Sequence, residues 1–213
     1  MPNGGESKKN TKVELLEEAL KLFSKYGYEA VSVAQIASAV NITPPALYKH
    51  YRSKQELFDA VVEHSRQGCQ RSIKELGIDF TTNEETRNSQ VYLSEEKQIE
   101  HAKRIFLHMI KGEYPKYFRR MMTIEQYHMP EIAKLYNEIY LDDQMKAHTV
   151  LFDTMIKAGK YRKADTKVMA LEYLAPFMTL TEMCDREPDR EEWAVEILVN
   201  HIREFNRNYR INS

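Results

Sequence analysis

The chain has 213 residues, of which 42% are hydrophobic and 30% are charged, and its formal net charge at pH 7 is −1. That length suggests one or two domains, and the high charged fraction fits a soluble protein rich in surface helix. Seven glycines and seven prolines are too few for the many turns of an all-β protein, and the near-zero charge excludes a global basic field that would attract nucleic acid.

The first ten residues and the two cysteines indicate a cytoplasmic protein. Residues 1–10 are polar and rich in Gly, Asn and Lys, so we expect a disordered N-terminal arm and no secretory signal. No stretch approaches the roughly 18 apolar residues of a membrane span. Cys69 and Cys184 lie far apart without C-x-x-C spacing, which predicts two reduced thiols. We therefore expect no membrane contact.

The first helix is predicted at residues 12–26. Thr11 followed by Glu14 forms a capping box, in which the hydroxyl and the carboxylate each satisfy one free backbone N–H. Gly27 supplies the left-handed residue that commonly follows a helix. The apolar residues recur every three or four positions and form one face: Leu15, Leu16, Ala19, Leu20, Phe23 and Tyr26.

Two short helices separated by three residues follow, at 33–40 and 44–50. Ser32 with Gln35 forms a second capping box, and Pro44 suits the first position of a helix because its missing N–H is not needed there. Asn41, in the turn, tolerates a positive φ better than most residues. Two short helices joined by such a turn and braced by a longer helix are typical of a helix-turn-helix.

A long helix is predicted at 54–75 after a third capping box, Ser53 with Glu56, and residues 77–93 are interpreted as a polar loop. Asp165 is a candidate N-cap, and Asp189 with Glu192 resembles another capping box. Five further helices are predicted at 95–111, 115–128, 130–158, 165–185 and 190–207. The pattern predicts an all-α fold, with a helix-turn-helix domain at 11–53 and a larger helical domain at 54–213.

The segment with the most specific chemistry runs from Ser32 to Lys54. In helix-turn-helix proteins the N-terminal residues of the second helix meet base edges in the major groove. Lys54 is expected in the first turn of the long helix, where the helix dipole disfavours a cation unless a DNA phosphate lies there. The candidate DNA-binding residues are Ser32, Gln35, Thr43, Pro44, Ala46, Tyr48, Lys49, His50 and Lys54.

Residues 13–62 carry several short motifs at fixed spacings: Ala19-Leu20-x-Leu22-Phe23, Gly27-Tyr28, Ser32, Ile36-Ala37 and Leu47-Tyr48-x-His50-Tyr51-x-Ser53-Lys54. With these motifs the segment resembles the N-terminal domain of the TetR family of transcriptional repressors. Asn41 stands where the family usually has Gly, and Pro45 where it often has Gly or Ala. The resemblance implies that the remaining residues form a helical domain that dimerises and binds an effector, and that the protein represses transcription.

The last two predicted helices are the candidate dimer interface. Residues 168–184 are apolar nearly all round, and a helix of that kind must be covered on several sides. The resemblance implies that both helices pair with their twins in a four-helix bundle, and the alternative is that they form the core of a monomer. A two-fold homodimer presents two reading heads and predicts a pseudo-palindromic double-stranded DNA operator.

The middle helices are rich in Met and aromatic residues, which can line a pocket for an apolar or amphipathic effector. Ordinary core packing is the alternative for each of them. His101 and His108 lie seven positions apart, not the four of a helical metal pair, so we predict no metal site and no cofactor. The candidate ligand-binding residues are Phe106, Met109, Phe118, Met122, Tyr127, Phe152 and Phe177.

The predicted function is that of a ligand-responsive repressor, which binds its operator as a dimer and is released by a small-molecule effector. A helical enzyme is one alternative, but the sequence has no nucleophile–base spacing, Gly-rich phosphate loop or metal motif, so we assign no catalytic residue. A protein that uses its helix-turn-helix for protein contacts is another. Salt-dependent DNA binding would distinguish it from the repressor.

Overall fold

The computed structural model describes residues 11–77 and 91–211, and the chain folds there into ten α-helices. The predicted all-α fold is confirmed, since these residues contain no strand beyond an isolated bridge between Tyr161 and Arg210. In chain order the helices are α1 (Thr11–Tyr26), α2 (Val33–Ala39), α3 (Pro44–Tyr48), α4 (Lys54–Glu75), α5 (Glu95–Lys111), α6 (Glu113–Glu125), α7 (Pro130–Asn137), α8 (Asp143–Lys157), α9 (Thr166–Arg186) and α10 (Glu191–Tyr209).

Side-chain caps begin three of these helices at the predicted residues. Ser32 caps α2, Ser53 caps α4 and Asp165 caps α9, each by accepting a hydrogen bond from a backbone N–H of the first turn. An oxygen in this position satisfies one of the donors that a helix start leaves without a partner. These three helix starts are therefore fixed by local sequence.

The capping box predicted from Asp189 and Glu192 is wrong. A 3-10 turn at Pro188–Arg190 leads directly into α10, and no side chain caps that helix. The start of α1 also differs, because Thr11 is the first described residue and already lies inside the helix. A short turn of 3-10 type is a common way to begin an α-helix without a cap.

One predicted helix in the middle of the chain changes as well. The helix predicted at 130–158 is divided, because a π-helical turn at Glu138–Asp142 joins α7 to α8. The sequence pattern does not reveal this turn, because no Gly or Pro interrupts residues 131–157. The predicted N-terminal arm at 1–10 and residues 78–90 of the predicted loop lie outside the described residues.

A first hydrophobic core joins the helix-turn-helix to the larger part of the chain. Phe23 of α1 and Phe58 of α4 pack edge to face with ring centroids 5.4 Å apart, and Ile36 and Leu47 are buried in the same core. Met121 of α6 completes it from the other side. Full burial of one such side chain contributes about 1.5–3 kcal/mol, so α6 and the helix-turn-helix are held by a shared core.

Two further cores fill the larger part. Phe106, Leu180 and Leu198 join α5, α9 and α10, while Phe152 and Met169 join α8 and α9 near the end of α10. A cavity lies among the three cores. No helix in residues 11–77 or 91–211 is long and apolar enough to cross a membrane.

Candidate nucleic-acid interface and internal cavity

The connection between α2 and α3 is a tight turn fixed by its backbone. Asn41 has a φ of 57°, the left-handed conformation that Asn adopts more readily than most residues. The N–H of Asn41 donates to the Ser38 carbonyl over 3.1 Å, and the N–H of Ile42 donates to the Ala37 carbonyl over 2.9 Å. These bonds set the direction in which α3 leaves α2.

Residues 43–50, which we call the reading segment, carry most of the candidate DNA-binding side chains. Leu47 is fully buried and anchors the segment on the first core. Tyr48 is 48% exposed, and the side chains of Lys49 and His50 are exposed beside it. The structure brings six of the candidates together here: Thr43, Pro44, Ala46, Tyr48, Lys49 and His50.

Ser32 and Gln35 lie at the start of α2 and form a complete capping box. The Gln35 N–H donates to the Ser32 hydroxyl over 3.2 Å, and the Ser32 N–H donates to the Gln35 side-chain oxygen over 2.7 Å. The exposed Gln35 side chain keeps its amide NH₂ group as a donor, whereas the Ser32 hydroxyl is used by the helix. The structure therefore gives Ser32 a positioning role at α2.

Lys54 begins α4 and lies against the turn that follows α1. Its Nζ atom is 4.1 Å from the centroid of the Tyr28 ring and 3.4 Å from the carbonyl oxygen of Glu29. A cation over an aromatic ring is attracted by the electron-rich face, although only weakly where water reaches it. The ammonium group is thus held close to the first turn of α4, next to the Ser53 cap.

A cavity of about 690 Å³ lies inside the larger part of the chain. Its wall comes from α4, α5, α6, the continuous α7–α8 segment and α9, and most of it is apolar. Concave, largely apolar cavities of this size are typical of small-molecule sites. Of the candidate ligand-binding residues, four line it: Met109, Phe118, Phe152 and Phe177.

The other three candidates lie elsewhere, which corrects their assignment. Phe106 is fully buried among Leu180 and Leu198, and Met122 is fully buried in the first core. Tyr127 is 83% exposed on the connection after α6. Residue type and helical spacing predict which side chains are apolar, but they do not tell which side of a buried helix faces a cavity.

The most heavily hydrogen-bonded group in the cavity wall is Arg119. Its guanidinium binds both carboxylate oxygens of Asp185 over 2.8 Å and donates to the Met109 carbonyl over 2.7 Å. The side chains of Arg119 and Asp185 are only 5% and 14% exposed. A bidentate pair with further hydrogen bonds is the arrangement that makes buried charges tolerable, so this pair fastens α6 to α5 and α9.

Three polar side chains of the wall each keep one hydrogen-bonding atom that no other described residue uses. The hydroxyls of Tyr140 and Tyr173 have no hydrogen-bond partner among the described residues, and burial raises the pKa of both, so they remain donors. Nδ1 of His148 donates to the Gln144 carbonyl over 2.9 Å, which leaves Nε2 as an acceptor. Burial lowers the pKa of His148 and favours this neutral form.

The thiol of Cys69 also lines the cavity. Burial raises its pKa to about 12, so the group is a protonated thiol at neutral pH. The thiolate is the reactive form of cysteine, and Cys69 is therefore an apolar part of the wall. Cys184 is a second free, buried thiol.

The helix α6 lies between the cavity and the helix-turn-helix and, like α4, contacts both. The Tyr114 hydroxyl donates to Glu17 of α1 over 3.1 Å and lies 3.1 Å from Nε2 of His64 on α4. A Cβ on Gly68 would come within 2.5 Å of the Tyr114 ring, so α4 needs glycine there. Pro115, next along α6, lines the cavity.

The far end of α6 holds the turn between α1 and α2. The buried Glu125 side chain accepts a hydrogen bond from the Tyr28 N–H over 2.6 Å. Gly27 has a φ of 79°, and a Cβ there would lie 3.1 Å from the same Glu125 oxygen. Glycine is therefore required by both backbone conformation and close packing, and α6 grips the helix-turn-helix at both of its ends.

Sequence reasoning missed several of these residues. Arg119 carried no distinguishing signal, because Arg120 follows it directly and Lys116 lies three positions before it on α6. Tyr140 carried no signal either, because no Gly or Pro marks the π-helical turn that holds it. His148 and Tyr173 were indistinguishable from packed core residues until the helices around them were placed.

The family model described as "Bacterial regulatory proteins, tetR family" matches residues 15–61, which include most of α1, all of α2 and α3, and the first part of α4. The HTH-type transcriptional regulator AcrR of Shigella flexneri is 34% identical over 70 residues, 33% of this chain and 31% of AcrR. The chain therefore matches about a third of the length of that regulator. The family model covers the part of the chain that contains the reading segment.

Longer similarities are weaker in sequence. The nucleoid occlusion factor SlmA of Pectobacterium carotovorum is 24% identical over 174 residues, 79% of this chain and 80% of SlmA. SmeT, the repressor of the Stenotrophomonas maltophilia multidrug efflux pump SmeDEF, shares the fold with a TM-score of 0.62 at 16% identity, over 96% of this chain and 93% of SmeT. A second structure of SmeT contains triclosan and gives a TM-score of 0.66.

Proposed function

We propose that this chain, which belongs to the TetR family, is a transcriptional repressor that binds a pseudo-palindromic operator as a dimer and releases it when a small molecule enters the cavity. The observation that carries the proposal is the position of α6. It forms part of the cavity wall through Pro115, Phe118 and Arg119, and it holds the helix-turn-helix through Tyr114 and Glu125. A change at one side of this helix therefore reaches the other.

The reading segment supplies the groups that such binding needs. Tyr48, Lys49 and His50 offer hydroxyl and nitrogen donors to phosphates, and Thr43 and Ala46 offer a hydroxyl and a methyl to base edges. The chain's net charge is −1, so binding depends on these placed groups and on having two copies of them. Direct base contacts are few, and we expect part of the specificity to come from DNA shape.

The second copy is expected on the outer faces of α9 and α10. Leu171 of α9 is 58% exposed, and Val168, Trp193 and Ile197 are exposed on the same two helices. Large apolar side chains left in water on adjacent helices mark an interaction surface. A two-fold partner would cover them with the same residues of its own chain and would place two reading segments on one side of the dimer.

The regulatory step is a shift between two populations of the dimer. The ligand is bound more tightly by a form whose reading segments do not fit successive major grooves, and the operator by the other form. Because α6 grips both α1 and α4, a displacement of its cavity face changes the tilt of the helix-turn-helix. SmeT, whose fold is similar, is a repressor that has been solved with a small molecule bound.

The proposal is tested by selecting duplexes from a random pool with the purified protein at moderate salt and sequencing the survivors. We expect an inverted repeat, because two reading segments related by a two-fold axis read the same half-site twice. The double variant Tyr48→Ala/Lys49→Ala is the matched control and should select nothing. Recovery of unrelated sequences by both proteins would contradict the proposal.

The dimer is tested separately by sedimentation. Leu171→Glu introduces a charge into the expected interface and should convert the dimer to a monomer, because burying an unpaired carboxylate is strongly unfavourable. Lys157→Gln, at an exposed position on α8, lowers the charge by the same single unit outside the interface and should remain dimeric. A wild-type chain that sediments as a monomer would contradict this part of the proposal.

A further inference from the structure

The size and lining of the cavity restrict what it can hold. About 690 Å³ is room for a molecule of drug size. Most of the wall is aliphatic, aromatic or thioether, with Ile105, Met109 and Leu174 among its members. An occupant must therefore be largely apolar, since polar groups placed against this wall would lose water without gaining a partner.

The charged groups of the wall are already engaged or lie in solvent. Among the wall residues that the structure describes, the cations are Arg119, bound to Asp185, and Arg66, which pairs with Glu63 at the surface. The wall anions Glu138 and Asp143 are exposed, so solvent screens their charge, and the half-buried Glu182 pairs with Arg186 at the surface. Neither an anion nor a cation inside the cavity would find a buried, unpaired charge of opposite sign.

Three of the polar wall residues are neutral and keep a hydrogen-bonding atom that no other described residue uses. Nε2 of His148 can accept one hydrogen bond, while the hydroxyls of Tyr140 and Tyr173 can donate. The rings of His148 and Tyr173 lie together, with centroids 5.3 Å apart. Tyr140 lies elsewhere in the wall, packed on Tyr136 with ring centroids 5.0 Å apart. The wall thus offers a paired acceptor and donor at one place and a separate donor at another.

The backbone around Tyr140 supports a role in binding. Tyr140 is the central residue of the π-helical turn at Glu138–Asp142, where Ile139 also lines the cavity. A π turn inserts one residue and rotates the side chains that follow it, at a cost in helix geometry, and such turns are frequent at functional sites. Here the turn brings a phenol without a hydrogen-bond partner among the described residues into an apolar wall.

We propose that the cavity binds an uncharged, largely apolar molecule that carries a hydroxyl group, which donates to Nε2 of His148 and accepts from the hydroxyl of Tyr173, and a second acceptor that meets Tyr140. The ligand proposal rests on the proposed function in one respect: it takes the bound molecule to be the effector. Carboxylates and quaternary ammonium compounds with the same apolar body are excluded as ligands, because burying their charge without a partner is unfavourable.

The class of ligand is tested with full-length protein and Nile red, an uncharged dye whose fluorescence rises in an apolar site. The competitors are 1-decanol, decanoate and decyltrimethylammonium, which share a ten-carbon chain and differ in charge. We expect 1-decanol to displace the dye at a concentration about tenfold or more below that of either ion. Displacement by an ion at an equal or lower concentration would overturn the proposal.

The individual contacts are tested by comparing 1-decanol with decyl methyl ether, which accepts a hydrogen bond but cannot donate one. Wild-type protein should prefer the alcohol roughly threefold to tenfold, and His148→Phe should abolish that preference. Tyr173→Phe should weaken the binding of both compounds and leave the preference for the alcohol unchanged. An alcohol-to-ether ratio that is unchanged in His148→Phe, with a wild-type unfolding midpoint, would contradict the assignment.

Tyr140 is tested with a probe that has a polar group at each end. Wild-type protein should bind 1,10-decanediol more tightly than 1-decanol, and Tyr140→Phe should remove that difference in affinity. Ile105→Trp places a large ring in the cavity and should abolish dye binding. Dye binding that persists in Ile105→Trp would show that the dye lies elsewhere and would overturn the assignment of the site.

A final measurement distinguishes failure of the ligand class from failure of the proposed function. The selected duplex is bound to the protein and then exposed to each compound. If a charged compound releases the DNA and the alcohols do not bind, the proposed ligand class is wrong and the proposed repressor function still holds. If the alcohols bind as expected but no compound releases the DNA, the proposed effector role is wrong and the proposed ligand class still holds.

Discussion

The helix-turn-helix and the cavity region are built from hydrogen bonds of very different range. At the start of α2, Ser32 and Gln35 bind each other across three positions of the sequence. In the cavity region, Arg119 binds Asp185 across 66 positions, and Tyr161 binds Asn206 across 45. The first region can be read from neighbouring residues, whereas the second exists only when distant helices have come together.

This difference bears on how the molecule can work. A region held by local bonds keeps its own shape, so the reading segment can be moved as a unit. A region held by long-range bonds changes when any of its helices shifts, so a molecule that fills the cavity acts on several helices together. The two regions meet at α6, whose Tyr114 and Glu125 bind the first region while Phe118 and Arg119 face the second.

The largest expected effect comes from breaking a long-range bond. Asp185→Asn leaves the Arg119 guanidinium buried without its counter-ion, and removing one partner of a buried pair destabilises by about 3–5 kcal/mol. Urea denaturation should therefore show a free energy of unfolding lower by that amount. Arg186→Gln is the control, because its pair with Glu182 spans 3.8 Å at the surface and is worth about 1 kcal/mol or less. Equal effects would contradict the comparison.

A smaller effect is expected from breaking a local bond. Ser32→Ala removes the cap of α2, and loss of such a cap costs roughly 1 kcal/mol. Ser38→Ala lies exposed in the same helix and has no capping role, so it should leave stability unchanged or raise it slightly. The two variants are compared by denaturation. A Ser32→Ala protein as stable as Ser38→Ala would show that the cap is not required.

The phosphate contact proposed for Lys54 is tested by comparing the two ends of α4. Lys54→Met keeps much of the side chain's bulk but removes its charge, so the slope of log affinity against log salt should fall by about one. Lys74→Met removes an exposed charge near the other end of α4 and should leave the slope unchanged. Equal slopes in the two variants would mean that Lys54 contacts no phosphate and serves only to hold Tyr28.

The smallest expected effect is a dependence of stability on pH. Burial lowers the pKa of His148 in the folded chain from the ordinary 6.5. The unfolded chain then binds the proton more readily, so stability that is complete above pH 6.5 is lost as the pH falls through that value. His148→Phe should flatten this decline between pH 7 and pH 5 in denaturation experiments. A decline as steep as that of the wild type would rule out His148 as a source.

The sequence by itself determined the fold class and the architecture of the reading segment. Ser32, Asn41 and Ser53 act on residues within a few positions, so their caps and turn follow from local chemistry and appear where they were predicted. The periodic apolar residues of α1 likewise predicted the face that is buried, except for Tyr26 at the end of the helix, which is 51% exposed. Local rules suffice here because each bond connects near neighbours.

Only the tertiary structure decided which residues meet in the cavity. Phe152 and Phe177 line it while Phe106 and Met122 do not, although all four are apolar residues on buried helix faces. Arg119 acquires its partner from 66 positions away. A cavity is the space that packed helices leave between them, and its walls therefore depend on helix positions that no local pattern encodes.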